Sequence, residues 1–304
     1  MIVGLAPVSD DVLADGLKRI AAEIDEAFDA LLPVPLDARA KLVEAMRYAV
    51  IGGGKRVRPL LLASTAEMYG VDREAAIRAG AAIESIHAYS LIHDDLPCMD
   101  DDALRHGKPT VHKAFDEATA VLAGDALHAF AFEVLADPAI SSDPFVRIEL
   151  VRALGHASGF QGMAGGQMMD LVAEGEEFDL QTITRLQQLK TGALLGAAVE
   201  MGAILGHVPA EGRTHLRGYA RDIGLAFQIV DDLLDHEGDE EAAGKALRKD
   251  AAAGKETFVS LLGAERARDQ ARMLVHQAIE HLSQHGREAD LLRSIARYIV
   301  ERDH

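Results

Sequence analysis

Carboxylates dominate the residues on which chemistry could be built. Five of the nine residues from Asp94 to Asp102 are aspartates, directly after the apolar-rich run "IHAYSLIH". A second set lies in "LAFQIVDDLLD", where Gln228, Asp231 and Asp235 fall at i, i+3 and i+7 on one stripe of a helix whose other faces are apolar. Carboxylates stacked this way repel by a few tenths of a kcal/mol per pair when exposed, and by more when shielded from water. Neither set has the D-x-D-x-D-G pattern of a calcium loop. A divalent cation would relieve the repulsion. Mg²⁺ takes oxygen ligands, retains water and shares its shell with substrate phosphates, so two such sets facing one cavity point to a diphosphate site.

A diphosphate also needs direct positive charge. The candidates are Lys55, Arg56 and Arg58 in "GGGKRVRP", Arg105 behind the first acidic set, Lys190 and Thr191 in "LKTG", and Lys245 and Lys255 in "GKALRKDAAAGKET". The "GGGK" stretch lacks the spacing and the preceding strand of a nucleotide phosphate loop. The formal net charge of -18 over 304 residues argues against nucleic acid and against an anionic membrane surface. One cysteine, Cys98, excludes an internal disulfide framework and fits a reducing compartment. The N-terminus does not read as a signal peptide. The longest weakly polar run, "TGALLGAAVEMGAILG", contains Glu200 and is too short to span a bilayer. A cytoplasmic protein without a membrane span is expected.

Helices must position these groups. Leu13, Leu17, Ile20, Ile24, Phe28 and Leu31 recur at spacings of three and four. Similar patterns cover 37–51, 58–69, 73–95, 114–136, 144–173, 178–206, 210–236, 256–283 and 287–302, and alternating β-branched runs are absent. The expectation is an all-α fold in one domain over 1–304. His87 lies two turns before Asp94 on about the same helix face. Pro97 ends regular helix, and a bulge over "LPCM" could return Asp100 to the side of Asp94.

In this order, "GGGKRVRP", "HDDLPCMDDD", "GDAL", "GQMMD", "LKTG", "QIVDDLLD" and the two late glycine-lysine pairs resemble the trans-isoprenyl diphosphate synthases over almost the whole chain. The two extra residues inside the first acidic motif, with "IHAYSLIHDD" ahead of it, are most similar to the bacterial branch that makes farnesyl diphosphate. The resemblance implies an isoprenoid synthase-type helical bundle around a deep central cavity, usually a homodimer. It implies Mg²⁺ as cofactor, roughly three ions per active site, oxygen-bound and shared with phosphate. Asp94, Asp100, Asp231 and Asp235 would hold the metal, with Asp95 completing the first cluster. Arg105, Lys190, Thr191, Gln228, Lys245 and Lys255 would contact the allylic diphosphate. Lys55, Arg58 and His87 would bind isopentenyl diphosphate, the second partner of a head-to-tail condensation that needs no side-chain nucleophile.

Two positions bear on specificity. Ser90 lies one turn before Asp94 and leaves room. Tyr89, five residues before Asp94 and about 7.5 Å along the axis, resembles the floor that stops elongation at fifteen carbons; a twenty-carbon geranylgeranyl product is the alternative. The family has a second arginine where this chain has His106, which implies weaker or pH-dependent homoallylic binding. A terpene cyclase would not need "GGGKRVRP" and commonly lines its cavity with aromatics, whereas this chain has no Trp. A non-catalytic subunit would be expected to have lost one acidic motif, and both are intact. His93 and His112 read as structural, Glu84 as an orienting partner of His87, and Gln167 and Asp170 as groups near the floor or within the core.

Overall fold

A computed structural model describes residues 10–173, 176–237 and 256–301. Lys245 and Lys255 lie outside the described residues. The chain forms α1 (Asp10–Leu31), α2 (Ala40–Val50), α3 (Val57–Met68), α4 (Arg73–Asp94), a two-strand hairpin of β1 (Leu104–Arg105) and β2 (Lys108–Pro109), and α5 (Val111–Ala114). There follow α6 (Glu117–Ala136), α7 (Pro144–Ser158), α8 (Met163–Val172), α9 (Leu180–Gln187), a π turn (Gln188–Gly192), α10 (Ala193–Leu205) and α11 (Thr214–Glu237). After the undescribed stretch come α12 (Phe258–Leu262), α13 (Ala264–His281), a short 3₁₀ turn and α14 (Asp290–Glu301).

The acids divide by position. Asp72, Asp116, Asp143 and Asp179 stand at helix N-termini, where each carboxylate accepts a backbone N–H of the first turn, as from Glu74 (3.0 Å), Thr119 (2.7 Å), Phe145 (2.8 Å) and Thr182 (2.8 Å). Each of these caps contributes roughly 1 kcal/mol. Asp94 and Asp95 instead end α4, and Asp231 and Asp235 sit in the last two turns of α11. There the macrodipole disfavours negative charge by about 0.3–1 kcal/mol. The acids at helix starts build the fold; those at helix ends stand against the dipole.

One apolar core runs from Leu13 on α1 to Ile299 on α14. In α1, Ile20, Ile24 and Phe28 are fully buried, as the stripe requires. Helix α4 packs on α3 and α6, α10 bridges α3, α7 and α11, and α11 runs along α13. The Tyr219 hydroxyl on α11 donates to Leu292 O at 2.7 Å and ties α14 to the bundle. Among the described helices α6 alone is long and apolar enough to cross a membrane, but it is a core helix by its packing on α4. The sequence pattern overran three breaks. The 144–173 helix divides at Gly159–Gly162, where a Cβ on Gly162 would lie 2.1 Å from Ala157 O. The 256–283 helix divides at Gly263, with φ of +81°. The 114–136 pattern begins as the separate turn α5.

Candidate active site

The bulge after α4 does what the spacing allowed. Asp100 N–H donates to Asp94 O at 2.8 Å, and Asp101, with φ of +49°, turns its own N–H back to Leu96 O. Asp94 and Asp100 therefore share one side of the loop. Burial lifts the Asp94 carboxyl to about 6, Lys190 opposes the rise, and the neighbouring charge of Asp100 adds to it. Asp95 faces the other way: it is buried, and Arg105 donates to its Oδ1 through Nε at 2.7 Å. Burial raises the Asp95 carboxyl too, against the pull of Arg105. Burial works against the charge on Arg105, but Asp95 more than compensates and holds the guanidinium firmly protonated.

The second set shows the same division. Asp231 and Asp235 are half-buried on the stripe that begins at Gln228, itself half-buried. Asp232, about 100° round the helix, is buried and accepts the Phe258 N–H at 2.9 Å, anchoring the start of α12. In each doublet one aspartate faces the site and the other holds structure. Asp231 bears on Arg58, whose guanidinium burial destabilises while Glu84 and Asp231 support it. Arg58 Nε is buried without a hydrogen-bond partner among the described residues. His87 stays neutral: burial, then Arg58, Arg105, His106 and Arg56, push its pKa well down. A single electrostatic neighbourhood thus runs from Asp231 through Arg58, His87 and Arg105 to Asp94.

Lys190 closes the ring. It sits in the π turn, donates from Nζ to Asp170 Oδ2 on α8 at 2.8 Å, and bears on Asp94. Asp170 is accordingly the holder of Lys190. Gly166 makes the approach of α8 feasible, because a Cβ there would lie 2.2 Å from Lys190 N. Thr191 is half-buried in the same turn.

Beside this ring a cavity of about 280 Å³ opens between α2, α4 and the hairpin, lined by Gly52, Gly54, His87, Arg105, His106 and Lys108 among others. Gly52 and Gly54 have φ of +73° and +76° and shape the loop in a region few other residues enter. The hairpin turns on His106 and Gly107, both at positive φ, the signature of a two-residue type I′ turn. Burial and the neighbouring Arg105 and Arg56 lower the pKa of His106. Glu84 pairs with Arg56 at 2.9 Å, so the structure corrects its expected role as a partner of His87. Arg56 also reaches Asp25, and Arg105 is taken by Asp95. Lys108, absent from the sequence-based set, donates to Gly52 O at 3.2 Å and has no carboxylate partner among the described residues. The signal was present, a lysine two residues beyond His106, but its partner is a loop carbonyl that spacing does not disclose. Lys55 lies outside this lining, 6.0 Å from the Tyr298 ring centroid.

Tyr89 is wedged edge-on between His93 (5.8 Å) and His128 (5.0 Å), with Ser90 bonded to His87 O. His93 Nε2 lies 3.1 Å from Val121 O and His112 Nδ1 3.2 Å from Thr110 Oγ1, in keeping with structural roles. No group of three His, Cys, Asp or Glu among the described residues is assembled to hold a metal. The residues nonetheless fit one whose shell is completed by phosphate: acids on two helix ends, one of them held partly protonated near pH 6 by its surroundings.

The family model for polyprenyl synthetases matches residues 39–298. The chain belongs to this family. A polyprenyl synthetase relative from Escherichia coli (strain K12), farnesyl diphosphate synthase, is 44% identical over 297 residues, 94% of this chain and 98% of that protein. Geranylgeranyl pyrophosphate synthase 4 of Arabidopsis thaliana is 41% identical over 292 residues, 93% of this chain and 76% of that one. A crystal structure described as an FPP/GFPP synthase from Zymomonas mobilis superposes with a TM-score of 0.88 at 60% identity, covering 95% of this chain and 99% of the other. The all-α bundle is the fold of this polyprenyl synthetase group.

Proposed function

We infer that the chain is a prenyltransferase that condenses isopentenyl diphosphate with dimethylallyl or geranyl diphosphate to give farnesyl diphosphate. The observation that carries this is the pair of acidic helix ends, Asp94 with Asp100 and Asp231 with Asp235, joined through Arg58, Arg105 and Lys190. Mg²⁺ held by these four aspartates would supply charge to bind the allylic diphosphate and stabilise it as it departs. Lys190 and Arg105, fixed by Asp170 and Asp95, point charge at the same group without reorganisation. As the allylic carbon–oxygen bond breaks, its electron pair leaves with the diphosphate. The isopentenyl double bond then attacks the allylic carbon, and loss of a proton to the departed diphosphate restores an alkene. The cavity under the hairpin suits the isopentenyl diphosphate head, with Lys108 replacing the charge that neutral His106 lacks.

Tyr89 favours the fifteen-carbon product, since its ring is held from two sides below Asp94. Relatives named for a geranylgeranyl product keep a twenty-carbon outcome as the second reading. The exposed Val121 and Leu122 on α6 and Phe145 and Ile148 on α7 support a homodimer, which light scattering tests. We also assign the enzyme to the cytoplasm. Purified protein incubated with Mg²⁺, isopentenyl diphosphate and dimethylallyl or geranyl diphosphate, with mass analysis of the dephosphorylated products, decides the reaction and the carbon count. Absence of any elongated prenyl alcohol would refute it.

A further inference from the structure

A second cavity, about 620 Å³, lies between α7, α9, the π turn, α10 and α11 and shares no lining residue with the first. Its volume is within the range of small-molecule sites. The lining has two characters. Ala153, Ala157, Leu189, Ala193, Ala197 and Leu225 make an apolar floor of mostly small side chains. Gly196 lies in the same floor, and a Cβ there would meet nothing within 4 Å among the described residues. Around the floor stand Arg152, Arg185, Arg217 and Arg221.

The charges do not cancel. Glu149 and Glu200, the two acids of the lining, are both taken by the buried Arg213, at 2.6 and 3.1 Å. Arg217 also reaches Glu200, and Arg221 pairs with Asp222. Arg152 and Arg185 have no ion pair among the described residues. In a chain of net charge -18, two unpaired guanidinium groups over an apolar floor suit a ligand with an anionic head and a hydrocarbon tail.

This cavity also touches the catalytic wall. Leu189 and Gly192 of the π turn line it, while Lys190 of the same turn is bonded to Asp170 and bears on Asp94. The turn is gripped elsewhere by α8 through Gly166 and by α11 through Gly224, whose Cβ would lie 3.3 Å from Gly192 Cα. A ligand in the cavity presses on the remaining side.

We propose that this groove is a second, metal-independent site for a prenyl diphosphate, the amphiphilic anion that the reaction releases, and that its occupancy slows turnover through the Lys190 turn. The ligand class rests on the reaction inferred above; the binding measurement does not require turnover, so the two can fail separately.

The test is calorimetric titration of the full-length chain with farnesyl diphosphate in excess EDTA. Wild type is expected to bind. Arg152→Gln/Arg185→Gln, which removes only exposed and unpaired charges, and Gly196→Leu, which fills the groove, should each weaken that binding at least about tenfold. Gly196→Ala checks that the helix tolerates a side chain there. Inorganic diphosphate, lacking the tail, should also bind at least about tenfold more weakly than farnesyl diphosphate. With Mg²⁺ and saturating allylic substrate, farnesyl diphosphate should lower kcat in wild type but not in the variants, whose uninhibited kcat and KM stay at wild-type values. Unchanged affinity in both variants, or inhibition that allylic substrate removes completely, would overturn the proposal.

Discussion

Asp94→Asn is expected to make a more stable and far less active protein. A carboxyl near pKa 6 rather than 3.8 pays an ionisation penalty of about 3 kcal/mol in the fold. Its half-exposed, screened setting reduces the realised figure to about 1–2 kcal/mol. Because the folded pKa lies above the unfolded one, the charged form opposes folding. The penalty is absent below about pH 3.8, grows towards pH 6 and is complete above it. In EDTA at pH 7.5 the variant should melt about 2–4 °C above wild type, and the difference should vanish near the acid end. Its kcat with Mg²⁺ should fall by about 10²-fold or more, as when a group that stabilises developing charge is removed. Differential scanning calorimetry across pH, with steady-state turnover, measures both. A variant no more stable than wild type at pH 7.5 refutes the claim that Asp94 is held at an unfavourable charge.

Tyr89→Ala should shift products from fifteen towards twenty carbons by chromatography of the dephosphorylated alcohols; an unchanged distribution discards the floor. His106→Arg should lower the KM for isopentenyl diphosphate most at pH 8, with the gap narrowing towards acid pH, since the lowered pKa leaves His106 uncharged at neutral pH and above; parallel pH profiles refute the charge argument. Lys108→Met should raise that same KM several-fold and leave the allylic KM in place, an outcome that initial-rate kinetics separates directly. Gly166→Ala must part α8 from the Lys190 turn, at about 1–3 kcal/mol; it should lower both Tm and kcat, and wild-type values for both would show that the contact yields freely.

What the sequence made legible followed periodicity. The α1 stripe, the α4 run into Asp94 and the Gln228–Asp231–Asp235 face need only 3.6 residues per turn. Both acidic motifs could be found this way, but not the division within them. Asp95 and Asp232 carry the same side chain as their neighbours, and only packing reveals that one holds Arg105 and the other the Phe258 N–H. Glu84 lies one turn before His87, which suggested a pair; the buried Arg56 from another segment claims it instead. The breaks at Gly162 and Gly263 were written as glycines inside apolar patterns, where tolerance and interruption look alike.

Residues 180–205 form a rod with one residue too many. The surplus is absorbed at Gln188–Gly192, where the winding widens to π geometry and Lys190 is carried inward to Asp170. Deleting one position there would let ordinary α winding close the gap while the helices on either side kept their facing surfaces. The shortened rod would be more regular, but its lysine would have swung away from Asp170 and Asp94. In this chain the placement of Lys190 depends on a local misfit that folding alone would have no reason to retain.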